Sequence, residues 1–216
     1  MYRNRMGEEK QKTAIRNKER SKQQLLDAVD TLLVSKGFTA LKVNDIAATA
    51  GLDKKLIYRY FGSKDNLVDE YIRSLDFWSN VKKDDTRHDF SDGGREFTKQ
   101  MLAEQFDYTA DSKAFQKILL WGLYESRKSL KRVADDRESN GEVLLTNITD
   151  PFFGEKAGLY RAVTALLISG IYYLNMYAGV NGTTFCGIDI TTTEGKEEIK
   201  RALAVIVDLL YDVKKV

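Results

Sequence analysis

The sequence predicts an all-α chain: a small N-terminal three-helix unit followed by a larger helical body. Three observations carry this. Only one of the 216 residues is proline, against an average usage of about 5%. Apolar residues recur at i, i+3, i+4 and i+7 through most of the chain. Glycine, serine and aspartate stand where helices must stop and start, above all at Gly37, Gly51, Asp53, Gly62 and Ser63.

Composition narrows the class further. With 43% hydrophobic and 31% charged residues, the chain can build a core and is not disordered. Cys186 is the only cysteine, so no intrachain disulfide forms, which fits a reducing compartment. The first ten residues lack an apolar segment, so a cytoplasmic protein without a signal peptide is expected. The net charge of +2 is unevenly spread: residues 1–74 hold 15 Lys/Arg against 10 Asp/Glu, and the remainder holds 19 against 22. A basic head beside a slightly acidic body suits nucleic-acid contact through the head.

The expected division is a basic arm over 1–20, a helix-turn-helix unit over 21–66 and a helical body over 67–216. Residues 1–22 carry eight basic and three acidic residues. They read either as a solvated tail or as an arm that touches phosphates or the minor groove, with a helical extension from about Ile15. The first firm helix runs over 21–36, capped by Ser21 and ended by Gly37, with Leu25, Val29, Leu32 and Leu33 on one face. Phe38 is expected to plug the small core beneath it.

Val43, Ile46, Ala47 and Ala50 form one stripe of the next helix, which Gly51 stops by tolerating positive φ. Asp53 caps a helix over Lys54 to Phe61. That helix buries Leu56, Ile57 and Phe61 and presents Lys54, Lys55, Tyr58, Arg59 and Tyr60. Gly62 ends it, and Ser63 caps a fourth helix over 63–80 with Leu67, Tyr71, Leu75 and Trp78 at helical spacing. Lys64 in its first turn opposes the helix dipole, a local cost that a phosphate would offset.

Two helices joined by a glycine-containing turn make a helix-turn-helix, whose second helix enters the major groove. Three cations and two phenols within seven residues suit phosphates and base edges. An ordinary solvated basic face has the same composition.

The pattern Ile46-Ala47-x-x-Ala50-Gly51-Leu52-Asp53-x-x-x-Ile57-Tyr58-x-Tyr60-Phe61-x-Ser63-Lys64-x-x-Leu67 resembles the DNA-binding signature of the TetR family of transcriptional regulators. The resemblance covers about residues 20–75. It implies a homodimer bound to a double-stranded operator, with a C-terminal ligand-binding and dimerisation domain and release by a small-molecule effector. Carried over position by position, it puts DNA contacts at Lys42, Asn44, Lys54, Lys55, Tyr58, Arg59, Tyr60 and Lys64. Of these, Lys42, Tyr58, Tyr60 and Lys64 would position phosphates, and Asn44, Lys54, Lys55 and Arg59 would face base edges. Three places depart from the family pattern. Leu41-Lys42 stand where Thr and a small hydroxyl residue are common, Lys55 where Gly is frequent, and Leu56 where Thr or Ala is. Leu56 puts one phosphate contact in doubt.

In the body, residues 81–93 read as a polar connector holding His88, the only histidine. Residues 94–140 read as two or three helices. One is marked by Phe97, Met101, Leu102, Gln105 and Phe106, the next by Phe115, Ile118, Leu119, Trp121, Leu123 and Tyr124. Glu125 to Asn140 is charged and apolar only at Leu130 and Val133. Gly141 to Gly154, with the lone Pro151, reads as a short helix and a loop. Ala162 to Val180 runs nineteen residues without a charge. Its Thr, Ser, Asn, Gly and Tyr content argues for a helix buried in protein, in part by a second subunit, and against a membrane span. Residues 181–192 read as a connector too short for a sheet. The last helix carries Ile199, Leu203, Ile206, Leu210 and Val213 on one face, widened by Ala202, Val205 and Leu209. Two such helices, about 157–180 and 194–213, suit a homodimeric four-helix bundle. The resemblance implies the same pairing.

Trp78, Phe97, Phe106, Trp121, Tyr124, Phe152, Tyr160 and Tyr173 are candidates to line an effector cavity, and fit a packed core equally well. With one His, one Cys and scattered carboxylates, neither a catalytic set nor a metal-ligand cluster is expected, and no cofactor. The leading expectation is a ligand-responsive repressor. The alternative is an effector-independent DNA-binding structural or protein-recruiting factor on the same scaffold.

Overall fold

The computed structural model describes residues 2–75 and 89–213, with side chains from residue 15 onward. The fold is all-α and divides into two compact units, 1–75 and 76–216.

The first unit is built on α1 (Tyr2–Lys36), which begins well before Ser21. Ser21 is therefore not a cap: its hydroxyl lies mid-helix and donates back to Asn17 O at 2.9 Å. Gly37, at φ 80°, ends α1. A 3-10 turn, Phe38–Ala40, leads into α2 (Val43–Ala50), α3 (Lys55–Phe61) and α4 (Lys64–Ser74). The expected punctuation holds. Gly51 is left-handed at φ 65°. Asp53 Oδ1 accepts from Lys55 N at 2.8 Å, and Ser63 Oγ accepts from Asn66 N at 3.0 Å. Leu25, Val29, Leu33, Ile46, Ile57 and Leu67 are wholly enclosed. Phe38 is only half-buried, and Leu41, 4% exposed, fills the place expected of it. The 3-10 turn rotates Leu41 inward. Tyr71 Oη donates to Asp30 Oδ1 at 2.5 Å and ties α4 to α1.

The second unit contains α5 (Arg95–Asp111), α6 (Lys113–Tyr124) and α7 (Lys128–Leu144). A π-helical turn, Leu145–Thr149, continues α7 into α8 (Asp150–Phe153). The loop expected over 141–154 is therefore absent, and the chain stays helical to Phe153. Pro151 has no N–H to give and crowds the preceding turn, and the widened π turn lies just ahead of it. Arg161 spans this turn, pairing with Glu142 and Asp150 at 2.6 Å each.

Next come α9 (Ala157–Ala178), a hairpin of β1 (Thr184–Phe185) and β2 (Ile188–Asp189), and α10 (Thr193–Val213). The hairpin corrects the expectation of a connector without strands. Cys186 and Gly187, at φ 49° and 80°, form the two-residue turn that matches strand twist. Gly195 admits no side chain, because a Cβ there would meet Asp189 O at 1.9 Å.

The core of this unit lies where α5, α8, α9 and α10 meet around Leu102, Phe106, Phe153, Tyr160, Ile171 and Val207. An antiparallel ion-pair ladder joins α5 to α10. Arg95 and Lys99 hold Asp208 at 2.7 and 3.0 Å, Asp107 holds Lys200 at 3.0 Å, and Asp111 holds Lys196 at 3.2 Å. The buried face of α10 is Leu203, Val207, Leu210 and Tyr211. Ile206 and Val213, expected on that face, lie on the exposed side with Ala202, Val205 and Leu209. The helix carries two apolar stripes, and this chain covers one. Length and composition would let the stretch containing α9 cross a membrane. In the structure only Tyr160, Ile171 and Asn175 of its 22 residues are buried within this chain, so within one chain α9 is not the enclosed helix the sequence suggested.

Candidate nucleic-acid interface and ligand cavity

The helix-turn-helix exposes its cations because its apolar side is fully used. Ile57 and Phe61 are buried, and Lys55, Tyr58 and Arg59 of α3 turn outward. Lys54, Lys55, Tyr58 and Arg59 are exposed, Tyr58 at 53%. Tyr60 is half-buried, with the Arg59 guanidinium 6.0 Å from its ring. Leu56 is half-buried. Lys42 and Asn44 are exposed at the start of α2, and Lys64 is half-buried at the start of α4, 3.4 Å from Asp65.

The eight sequence-predicted contacts thus lie on α3 and at the starts of α2 and α4. Lysines there stand at the ends of helices where the dipole disfavours cations, by about 0.3–1 kcal/mol each. Among the described residues Lys42, Lys54, Lys55 and Arg59 form no ion pair. The phosphates of a polyanion would offset the dipole cost.

In the second unit a cavity of about 80 Å³ lies between α5, the π turn and α9. Phe97, Thr98, Met101, Leu144, Ile148 and Tyr160 form much of its wall, and among the described residues no charged side chain lines it. Thr98 Oγ1 donates to Gly94 O and pairs with Tyr160 Oη, both at 2.8 Å. Burial pushes the Tyr160 phenol up, and Tyr211 likewise, so both remain protonated donors. Tyr211 donates to Gly93 O at 2.8 Å.

The eight aromatic candidates do not converge. Phe97 and Tyr160 reach this cavity. Phe106 is enclosed in the core, and Phe152 packs on Phe153 and Tyr211. Trp121 is buried, donating to Glu125 Oε1 at 2.7 Å. Tyr124 and Leu123 are 76% and 78% exposed beside an open groove of about 470 Å³ between α6 and α7. Of the residues that marked α6 in the sequence, Phe115, Ile118 and Trp121 are buried, while Leu123 and Tyr124 turn outward. Tyr173 is 53% exposed and packs on Tyr177 and Phe185. Trp78 and His88 lie outside the described residues. Sequence reasoning missed Thr98, Ile148 and Thr164 as lining residues. Thr98 shares a helix face with Met101, but the π turn that aims Ile148 leaves no 3.6-residue signature. Among the described residues no group of three or more potential metal ligands occurs.

Residues 25–71 match the model of the bacterial regulatory proteins, tetR family. The HTH-type transcriptional repressor KstR2 of Rhodococcus jostii (strain RHA1) is 40% identical over 52 residues, 24% of this chain and 26% of the relative. The chain therefore aligns with about a quarter of that repressor's length. Solved structures match far more of the chain at lower identity. A protein from Rhodococcus sp. assigned to the same family gives a TM-score of 0.60 at 15% identity, covering 89% of this chain and 99% of that one. The transcriptional regulator FadR from Bacillus subtilis, in complex with stearoyl-CoA, gives 0.58 at 16%, covering 84% and 97%. At that identity the likeness is one of fold.

Proposed function

Because the chain belongs to the TetR family of transcriptional regulators, we propose that it is a sequence-specific repressor that a small-molecule effector releases from its operator. The observation that carries the reading is the surface of α3. Four exposed side chains, Lys54, Lys55, Tyr58 and Arg59, stand on a short helix whose other side is locked in the core. Lys42, Tyr58, Tyr60 and Lys64 fix the register on phosphates, and Asn44, Lys54, Lys55 and Arg59 read base edges. The protein acts in the cytoplasm as a homodimer through α9 and α10, placing one α3 in each half-site of a two-fold operator.

The effector enters the second unit. Its differential affinity for the DNA-competent and released conformations sets how far it lowers DNA affinity. The apolar walls of the cavity state only that the enclosed part of the effector is apolar. Stearoyl-CoA, held by the Bacillus subtilis regulator, is one compound to try.

The test is retention of sheared genomic DNA from the source, sequenced beside the Tyr58→Ala/Arg59→Ala double variant. Enrichment of a few two-fold-symmetric sites, lost in the variant, is expected. Uniform retention by both proteins would overturn sequence-specific binding.

A further inference from the structure

Among the described residues one buried side-chain polar atom has no hydrogen-bond partner: Gln105 Oε1. Gln105 is 1% exposed, and its amide nitrogen donates to Tyr172 Oη at 2.5 Å. A buried acceptor left unmade costs about 1–3 kcal/mol, so its persistence calls for a reason.

Its position supplies one. The cavity wall uses Thr98 and Met101 of α5 and Tyr160, Thr164 and Ile168 of α9. Gln105 lies one turn beyond Met101 on α5, and Tyr172 one turn beyond Ile168 on α9. The two helices touch at both ends of this stretch, through Thr98 with Tyr160 and through Gln105 with Tyr172. The ends are about 10 Å apart along α5. At the first end the hydroxyls satisfy each other and Gly94 O. At the second an acceptor stands open. Between them Met101, half-buried and unbranched, is the side chain best able to swing aside.

Resting on the effector reading above, we propose that the cavity extends past Met101 when occupied, and that its ligand is an uncharged, elongated, mostly apolar molecule whose hydroxyl or N–H donates to Gln105 Oε1. Among the described residues no charged side chain lines the cavity, so none of them would offset the desolvation of an ionised group inside. Gln105 sets specificity: it rewards a donor and leaves an acceptor-only group facing a lone pair.

Three eight-carbon probes test this on the full chain by calorimetric titration: octanol, octanone and octanoate. Octanol is expected to bind about three- to tenfold tighter than octanone, the worth of one neutral hydrogen bond, and octanoate weakest. Gln105→Leu should keep octanone affinity, erase the octanol advantage and melt no lower than the parent. Ile148→Phe, which fills the cavity from the π turn, should abolish binding of all three while remaining folded. Equal affinity for alcohol and ketone, or an advantage that survives Gln105→Leu, overturns the role of Gln105 while the cavity reading stands. Tightest binding of octanoate overturns the neutral class, as does failure of all probes to bind. Unchanged binding to Ile148→Phe removes the cavity itself, and with it the effector site proposed above.

Discussion

In the proposed function, Arg59 is the side chain on which sequence discrimination would rest most heavily. It is exposed on α3, with its guanidinium 6.0 Å from the centre of the Tyr60 ring. A bidentate pair with guanine contributes about 1–3 kcal/mol of discrimination, whereas a lysine–phosphate contact contributes alike on every sequence. Arg59→Ala is therefore expected to weaken operator binding about ten- to hundredfold and to relax preference at one base pair in each half-site. Selection from random DNA measures both. An unchanged preferred sequence would assign Arg59 to the backbone. Much at this scale was legible from sequence, because glycine, serine and aspartate have local reasons for their places. Gly51, Asp53 and Ser63 do what their chemistry demands wherever they occur. Ser21 was misread because a serine inside a long helix has the same composition as one at its start, and only the helix's true beginning tells them apart.

Among the elements, helix periodicity was readable, while the partner of each helix was not. Charges at positions 95, 99, 107 and 111 carry no sequence mark of their partners, which α10 brings alongside at 208, 200 and 196 in reverse order. The π turn was hidden for a related reason: one extra residue per turn shifts the apolar register, so the sequence looked like a helix followed by a loop. The ladder has a pH signature. The Arg95 hydrogen bond, with Lys99 beside it, holds the Asp208 carboxyl below its ordinary value of 3.8. A carboxylate depressed in the folded state contributes stability that is full above its unfolded pKa and is lost as pH falls through the folded one. Asp208→Asn should thus lower the melting midpoint by about 2–4 °C at pH 7, as two partly exposed pairs of up to about 1 kcal/mol each imply. The gap should begin to shrink as pH falls below about 4 and should close only once pH lies below the depressed folded value of Asp208, where the parent carboxyl is protonated in both states. Melting curves at both pH values measure it, and a gap that persists in acid would mean the asparagine harms packing and not charge.

At the scale of the whole molecule, the apolar surface of α9 and α10 outruns what one chain can cover. Leu159, Leu166 and Tyr173 are 50%, 72% and 53% exposed at seven-residue intervals along α9. Val205, Leu209 and Val213 on α10 are 50%, 59% and 46% exposed. In the proposed dimer these two exposed stripes would meet their copies along one seam in a two-fold arrangement. In the proposed function dimerisation would also decide affinity, because linking two heads turns the second binding event into an intramolecular one and adds about 10²–10⁴ without a new contact. Leu166→Glu combined with Leu209→Glu buries two charges per chain in that seam. The variant should sediment as a folded monomer, its helical circular dichroism kept, since neither side chain serves the core of its own chain. Its affinity for the full operator should fall toward that for a half-site, while its half-site affinity stays that of the parent, because α3 is untouched. A variant that remains dimeric would place the interface elsewhere. A monomer that still binds the full operator as tightly as the parent would separate recognition from symmetry altogether.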